Sequence, residues 1–224
     1  MKVGILFFLI VVIVVGLAVF SPAARGELVT IRIEGVVDYV SDPFGLVDGE
    51  ITAGTAITGT YTYDLTTPDS NPLAEVGDYE HGLAPSGFRM TAGGYEFRTD
   101  PANVNFLIES IDNYAEVDAL LLVSYNNLFP LDGITFTNIT WTLHDYTGSA
   151  LSSPTISATA PVIDDWEVNL FQIGGSEFGR RVPGSKTFGI SGYMTSAVVV
   201  PEPATMFLLV AGIAVLRRRR RGRN

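Results

Sequence analysis

Apolar and polar residues alternate with a period of two along most of this chain. Val29, Ile31, Ile33, Val37 and Tyr39 are interleaved with Thr30, Arg32, Glu34 and Asp38. Ile57, Gly59, Tyr61, Tyr63 and Leu65 are interleaved with Thr58, Thr60, Thr62 and Asp64. A period of two places one set of side chains on one face of a pleated strand, so both stretches predict half-buried strands. Phe88 and Met90, then Gly93-Gly94, then Tyr95 and Phe97 predict a hairpin with a two-glycine turn. Further strands are expected over 104–111, 117–125, 134–143, 166–173 and 186–199. Turn-forming clusters separate them: Asp42-Pro43, the run from Thr67 to Pro72, Asp132-Gly133, Gly174-Gly175 and Pro183-Gly184. About nine short strands at this spacing predict an all-β fold, an antiparallel β-sandwich over residues 27–196. No helical period is sustained between these bounds, and no repeat of solenoid length is present.

The two ends break this pattern. Lys2 precedes a uniformly apolar stretch from Val3 to Phe20, and Ser21-Pro22-Ala23-Ala24-Arg25-Gly26 follows. A basic start, an apolar helix and small residues at Ala24 and Gly26 read as a secretory signal peptide over 1–26, cut before Glu27. At the other end Pro201-Glu202-Pro203 is followed by 13 apolar residues, 204–216, and then by Arg217, Arg218, Arg219, Arg220 and Arg221. Proline fixes φ and lacks an N–H, so a helix is blocked before the apolar run. As a helix that run would reach about 20 Å, against a hydrocarbon core roughly 30 Å thick. The predicted transmembrane helix is short, and holds by thinning the bilayer or by snorkelling of the arginines. The basic tail 217–224 stays cytoplasmic by the positive-inside rule, which puts everything before Pro201 on the opposite side.

Pro201-Glu202-Pro203, the short apolar segment and the Arg217–Arg221 stop, taken together over 197–224, resemble the PEP-CTERM sorting signal of Gram-negative bacteria. The resemblance implies recognition at the inner membrane by exosortase, a membrane-embedded protease or transpeptidase that cuts near the motif. The body resembles, less specifically, a recurrent β-sandwich domain of PEP-CTERM proteins. The residues that carry this are Gly59 to Asp64, Thr67 to Pro72, Phe88, Tyr95 to Phe97, Leu143 to Asp145 and Leu151 to Ser153.

Charge sharpens the picture once the ends are set aside. All 24 acidic residues lie between Glu27 and Glu202, but only six of the 14 basic residues lie there. The exported part therefore carries roughly −18, against the −10 of the whole chain. Such a surface lacks the basic footprint that nucleic acid needs. The chain has no cysteine, which excludes disulfides, iron–sulfur clusters and thiolate zinc sites.

Candidate chemistry is sparse. His144-Asp145 supplies two members of a Ser-His-Asp arrangement, but no Gly-x-Ser-x-Gly elbow accompanies it. Asp164-Asp165-Trp166-Glu167 offers paired carboxylates beside an aromatic ring, the raw material of a glycoside hydrolase. Alternation puts Trp166 in the core and its acidic neighbours outside. Calcium is the ion that the oxygen-rich loops suit, with Asp42, Asp48 and Glu50 in one and Asp64, Asp69 and Asp78 in the other. Neither loop has EF-hand spacing, and these residue types also form turns. Tyr79, Tyr114, Tyr125 and Tyr146 lie near loops or strand ends and are the aromatic candidates for stacking on sugar.

The reading is an exported, non-enzymatic protein with no required cofactor. It is held at the inner membrane until exosortase acts, and then serves a structural or adhesive role at the cell surface or in the exopolysaccharide layer. The alternatives are a carbohydrate- or calcium-binding module and, further off, a glycoside hydrolase.

Overall fold

The computed structural model describes residues 27–131, 133–177 and 185–201, and the backbone alone of Phe136. The predicted signal peptide, the apolar run 204–216 and the basic tail lie outside the described residues. Eleven strands follow one another: β1 Leu28–Ser41, β2 Ala56–Asp64, β3 Val76–His81, β4 Gly87–Ala92, β5 Tyr95–Thr99, β6 Phe106–Tyr114, β7 Val117–Ser124, β8 Asn127–Leu128, β9 Phe136–Asp145, β10 Val168–Ser176 and β11 Thr187–Val199. One 3-10 turn, Ile163–Asp165, interrupts the connection from β9 to β10. Among the described residues no helix is long and apolar enough to cross a membrane.

The all-β, antiparallel expectation holds, but the sandwich of two sheets does not form. All eleven strands join one sheet in the order β3-β6-β7-β9-β10-β11-β1-β2-β4-β5-β8, curled into a half-barrel. The reason lies in β1 and β11, which bend where shorter strands would stop. Their pairing shifts register between Glu34 and Gly35, and again between Val37 and Tyr39. An extra residue in one strand bends it and increases its twist. Gly192 sits at this bend, where a Cβ would strike the Val36 carbonyl oxygen. Glycine therefore lets the two backbones close up.

Curling brings strands from distant parts of the sheet face to face. Trp141 of β9 meets Tyr61 of β2 edge-on, with ring centroids 5.9 Å apart. Phe88 of β4 meets Phe106 of β6 at 5.4 Å. Each large side chain buried in this way stabilises by about 1.5–3 kcal/mol. One end of the curl is closed by a polar seam. The Thr99 and Ser124 hydroxyls lie 2.7 Å apart, Ser124 donates to Asn127 Oδ1, and the Asn127 amide donates to the Thr137 carbonyl. The expected hairpin is present, with Gly93 and Gly94 both at positive φ between β4 and β5.

Candidate functional site

The segment that leads into Pro201-Glu202-Pro203 is β11. It pairs with β10 over Thr187–Gly192 and with β1 from Gly189 onward, so it is bonded on both sides over Gly189–Gly192. Past Gly192 the backbone ladder to β10 stops. There the Asn169 side chain takes its place: Nδ2 donates to the Met194 carbonyl at 2.6 Å, and Oδ1 accepts from Met194 N at 3.2 Å and from Trp141 Nε1 at 2.9 Å. From Ser196 to Val199 the strand pairs with β1 alone, ending at Ile31 opposite Val199.

One more bond follows, from Val200 N to the Thr30 carbonyl at 2.8 Å. It is the last bond to β1 among the described residues, and Pro201, which has no N–H, follows it. The folded body thus runs into the motif with no spacer. Three residues lie between Val200 and Ala204, and the four steps reach at most about 14 Å. Val198, Val199 and Val200 are all exposed at this end. Because β1 and β11 are antiparallel neighbours, Leu28 starts beside the place where Val200 leaves, and both ends of the body emerge together. Glu202, Pro203 and Arg217 to Arg221 lie outside the described residues.

The second feature is the segment 146–167, which straps the curled sheet between β9 and β10. Asp145 holds its start. Its carboxylate accepts from Thr147 N and Oγ1, Ser149 N and Oγ, and Ala150 N, at 2.6–3.1 Å. These donors, the Thr147 hydroxyl foremost, keep the carboxyl far below the ordinary range. Asp118 stands opposite Asp145 on β7 and is fully buried. It accepts from Asn113 N at 2.8 Å and from Leu151 N at 2.7 Å. Further along, the Tyr79 hydroxyl donates to the Pro154 carbonyl and the Tyr63 hydroxyl to the Ser157 carbonyl. Beneath the strap is a cavity of about 440 Å³ between β2 on one wall and β6 and β7 on the other.

Several residues singled out for chemistry make structural contacts. Asp145 accepts from its own turn, and His144 stacks on Tyr146 with centroids 6.1 Å apart. His81 is buried on β3 between the Tyr79 and Asp64 carbonyls, and burial lowers its pKa. Trp166 is buried as expected, and Glu167 accepts from Tyr146 N at 2.8 Å. The calcium candidates do not converge. Asp42 caps the amides of Leu46 and Val47, Asp64 those of its own turn through Thr66, and Asp69 those of Asn71 and Asp78. Asp48 and Glu50 are exposed. Among the described residues no group of three or more His, Asp or Glu is arranged to hold a metal ion. Of the sugar-stacking candidates, Tyr79 is buried. Tyr114 and Tyr146 are exposed at one end of the sheet, whereas Tyr125 follows β7 at the other.

Asp78 and Glu109 face each other across β3 and β6. Burial first, and then the Asp78 carboxylate, raise the Glu109 pKa. Asp78 Oδ1 is buried with no hydrogen-bond partner while both groups count as acceptors, and a proton on Glu109 would supply one. Native Glu109 holds its proton above the unfolded value, so its contribution falls as pH rises through that window. Glu109→Gln removes the repulsion and supplies an amide donor. The variant should melt about 2 °C higher at pH 7, a modest gain because the pair is partly solvated. The gain should vanish near pH 4, as thermal melts at the two pH values will show.

Residues 199–221 match the family model of the PEP-CTERM protein-sorting motif. The motif implies an exported protein that is targeted to exosortase and anchored at its C-terminal side before processing. No curated protein and no solved structure matched the chain.

Proposed function

We propose that this chain is a structural or adhesive protein of the cell surface or exopolysaccharide layer. In this reading 1–26 is a signal peptide removed on export, and 204–216 spans the inner membrane until exosortase cuts beside Pro201-Glu202-Pro203. The observation that supports it best is the ladder that ends at Val200. It brings the folded body to the first residue of the motif, so that chain length alone keeps the body within about 14 Å of the apolar segment. An extended, unpaired backbone is what a protease can grip. The non-catalytic half of the reading is supported by the carboxylates, because Asp42, Asp64, Asp118 and Asp145 each hold a turn or a strap in place. A carbohydrate-binding role is the second reading, and rests on Tyr114 and Tyr146 at one end of the sheet.

Fractionation of a host with and without exosortase tests the proposal. With exosortase, the chain is expected in the extracellular polymer fraction, and deleting its gene should lower the cohesion of that layer. Processed protein found only free in the medium, with the layer unchanged, would remove the structural role. Binding to a glycan array by the same protein would favour the second reading.

A further inference from the structure

The cavity under the strap has the composition of a binding site. Its sheet side is mainly apolar, built from Ile108, Leu120 and Leu122 with Tyr61 and Ser110, and Trp166 of the strap lines it as well. Tyr61 and Ser110 are each at least 97 % buried. Neither hydroxyl has a hydrogen-bond partner among the described residues, yet neither is a sealed orphan, since Asp78 Oδ1 is the one atom of that kind. Both therefore reach open space within the cavity. Buried hydroxyls are normally paired, because leaving one unmatched costs its full desolvation. Among the described residues no lysine, arginine or histidine lines the cavity, and the one acid that does, Asp165, is exposed on the rim.

A buried charge needs a partner, so an ionised guest is excluded from the floor. A volume of this order lies within the range of small-molecule sites. The roof is a long connection with one 3-10 turn, the kind of segment that commonly serves as a lid. Its middle is tied to the sheet through the hydroxyls of Tyr63 and Tyr79, while its ends are fixed by Asp145, Asp118 and β10.

We propose that this cavity binds an uncharged, mainly apolar molecule, an alkyl chain with a neutral oxygen head that pairs with the Tyr61 and Ser110 hydroxyls. At interior packing density the volume accommodates roughly a dozen carbons.

The test uses the full chain in lipid nanodiscs and 11-bromoundecanol as probe, with bromine quenching of tryptophan as the readout. The chain has two tryptophans. Trp166 lines the cavity and Trp141 packs against Tyr61, so both report on it. Quenching should saturate at one probe per chain. Ser110→Leu, which fills the cavity and removes a hydroxyl, should weaken binding at least tenfold. Tyr61→Phe, which removes one oxygen, should weaken it about fivefold, and carries the test if Ser110→Leu does not fold. Quenching that rises linearly with probe, equally in the wild type and Tyr61→Phe, would overturn the proposal and leave the cavity to water.

Discussion

With Asp145→Ala the strap should come loose while the sheet persists. The substitution strips the acceptor from three backbone amides, Thr147, Ser149 and Ala150, and from two hydroxyls. Those amides lie in the turn that opens the strap, where Thr147 and Ser149 are exposed and Ala150 is half-buried, so water replaces only part of what the carboxylate supplies. We expect Tm to fall by about 5–10 °C, in the upper part of the range for single substitutions. Hydrogen exchange should accelerate over 147–157, with β1, β9 and β11 still protected. Uniform loss of protection throughout the sheet would show that the strap and the body are one cooperative unit.

The same group sets an acid limit. Its folded pKa lies far below the unfolded value of about 3.9. A depressed carboxylate pKa stabilises fully above the unfolded value, and that stability is lost as pH falls from there. Wild type and Asp145→Ala should therefore differ most above pH 5 and converge in strong acid. A difference that stays constant down to pH 2 would assign the effect to packing.

Changing Pro201, Glu202 and Pro203 together to alanine should abolish processing and leave export intact. Proline fixes φ and disfavours helix at the residue before it, so the motif as written is biased to extended backbone. Alanine at all three positions removes that bias and favours helix, in which amides and carbonyls are already paired and out of a protease's grip. Intact mass measured with and without exosortase should differ for the wild type and coincide for the triple variant, with cleavage reduced at least twentyfold. Cleaved product from the triple variant at wild-type yield would show that recognition lies elsewhere in 199–221. Replacing Arg217 to Arg221 with serine should instead weaken membrane retention.

Most strands could be read from the sequence because alternation is a local signal. Val29 to Tyr39, Ile57 to Leu65 and the glycine-turned hairpin lie where that signal put them. β3 was hidden, because Gly77 occupies an inward position and breaks the alternation with Tyr79 and His81. β8, at two residues, carries no pattern. Whether the strands form two sheets or one is not local at all. It depends on β1 and β11 bending at Gly35 and Gly192, and a glycine in a strand reads equally as a bulge or as a stop.

The sorting motif was legible because its order of proline, apolar run and arginines is contiguous. The rest of the site was not. Asp118 and Asn169 look like outward polar positions, yet one is sealed beneath the strap and the other stands in for a missing stretch of ladder. Tyr61 and Ser110 look like ordinary strand residues, and only the curl brings them to one cavity.

The way β11 is bonded also fixes how the molecule responds to tension. A protein tethered through its tail and dragged by the layer around it is loaded at Val200. Beyond Met194 the strand is held on one side only, so its bonds to β1 are loaded one at a time from the free end, the weak direction for an antiparallel pair. Peeling would run from Val200 back to the Asn169 side chain, where the hold becomes two-sided and the tear stops. About six residues would be released, close to 20 Å of extra slack at the spacing of an extended chain. The body beyond that point would keep its shape, and the tail would act as a shock absorber of fixed travel.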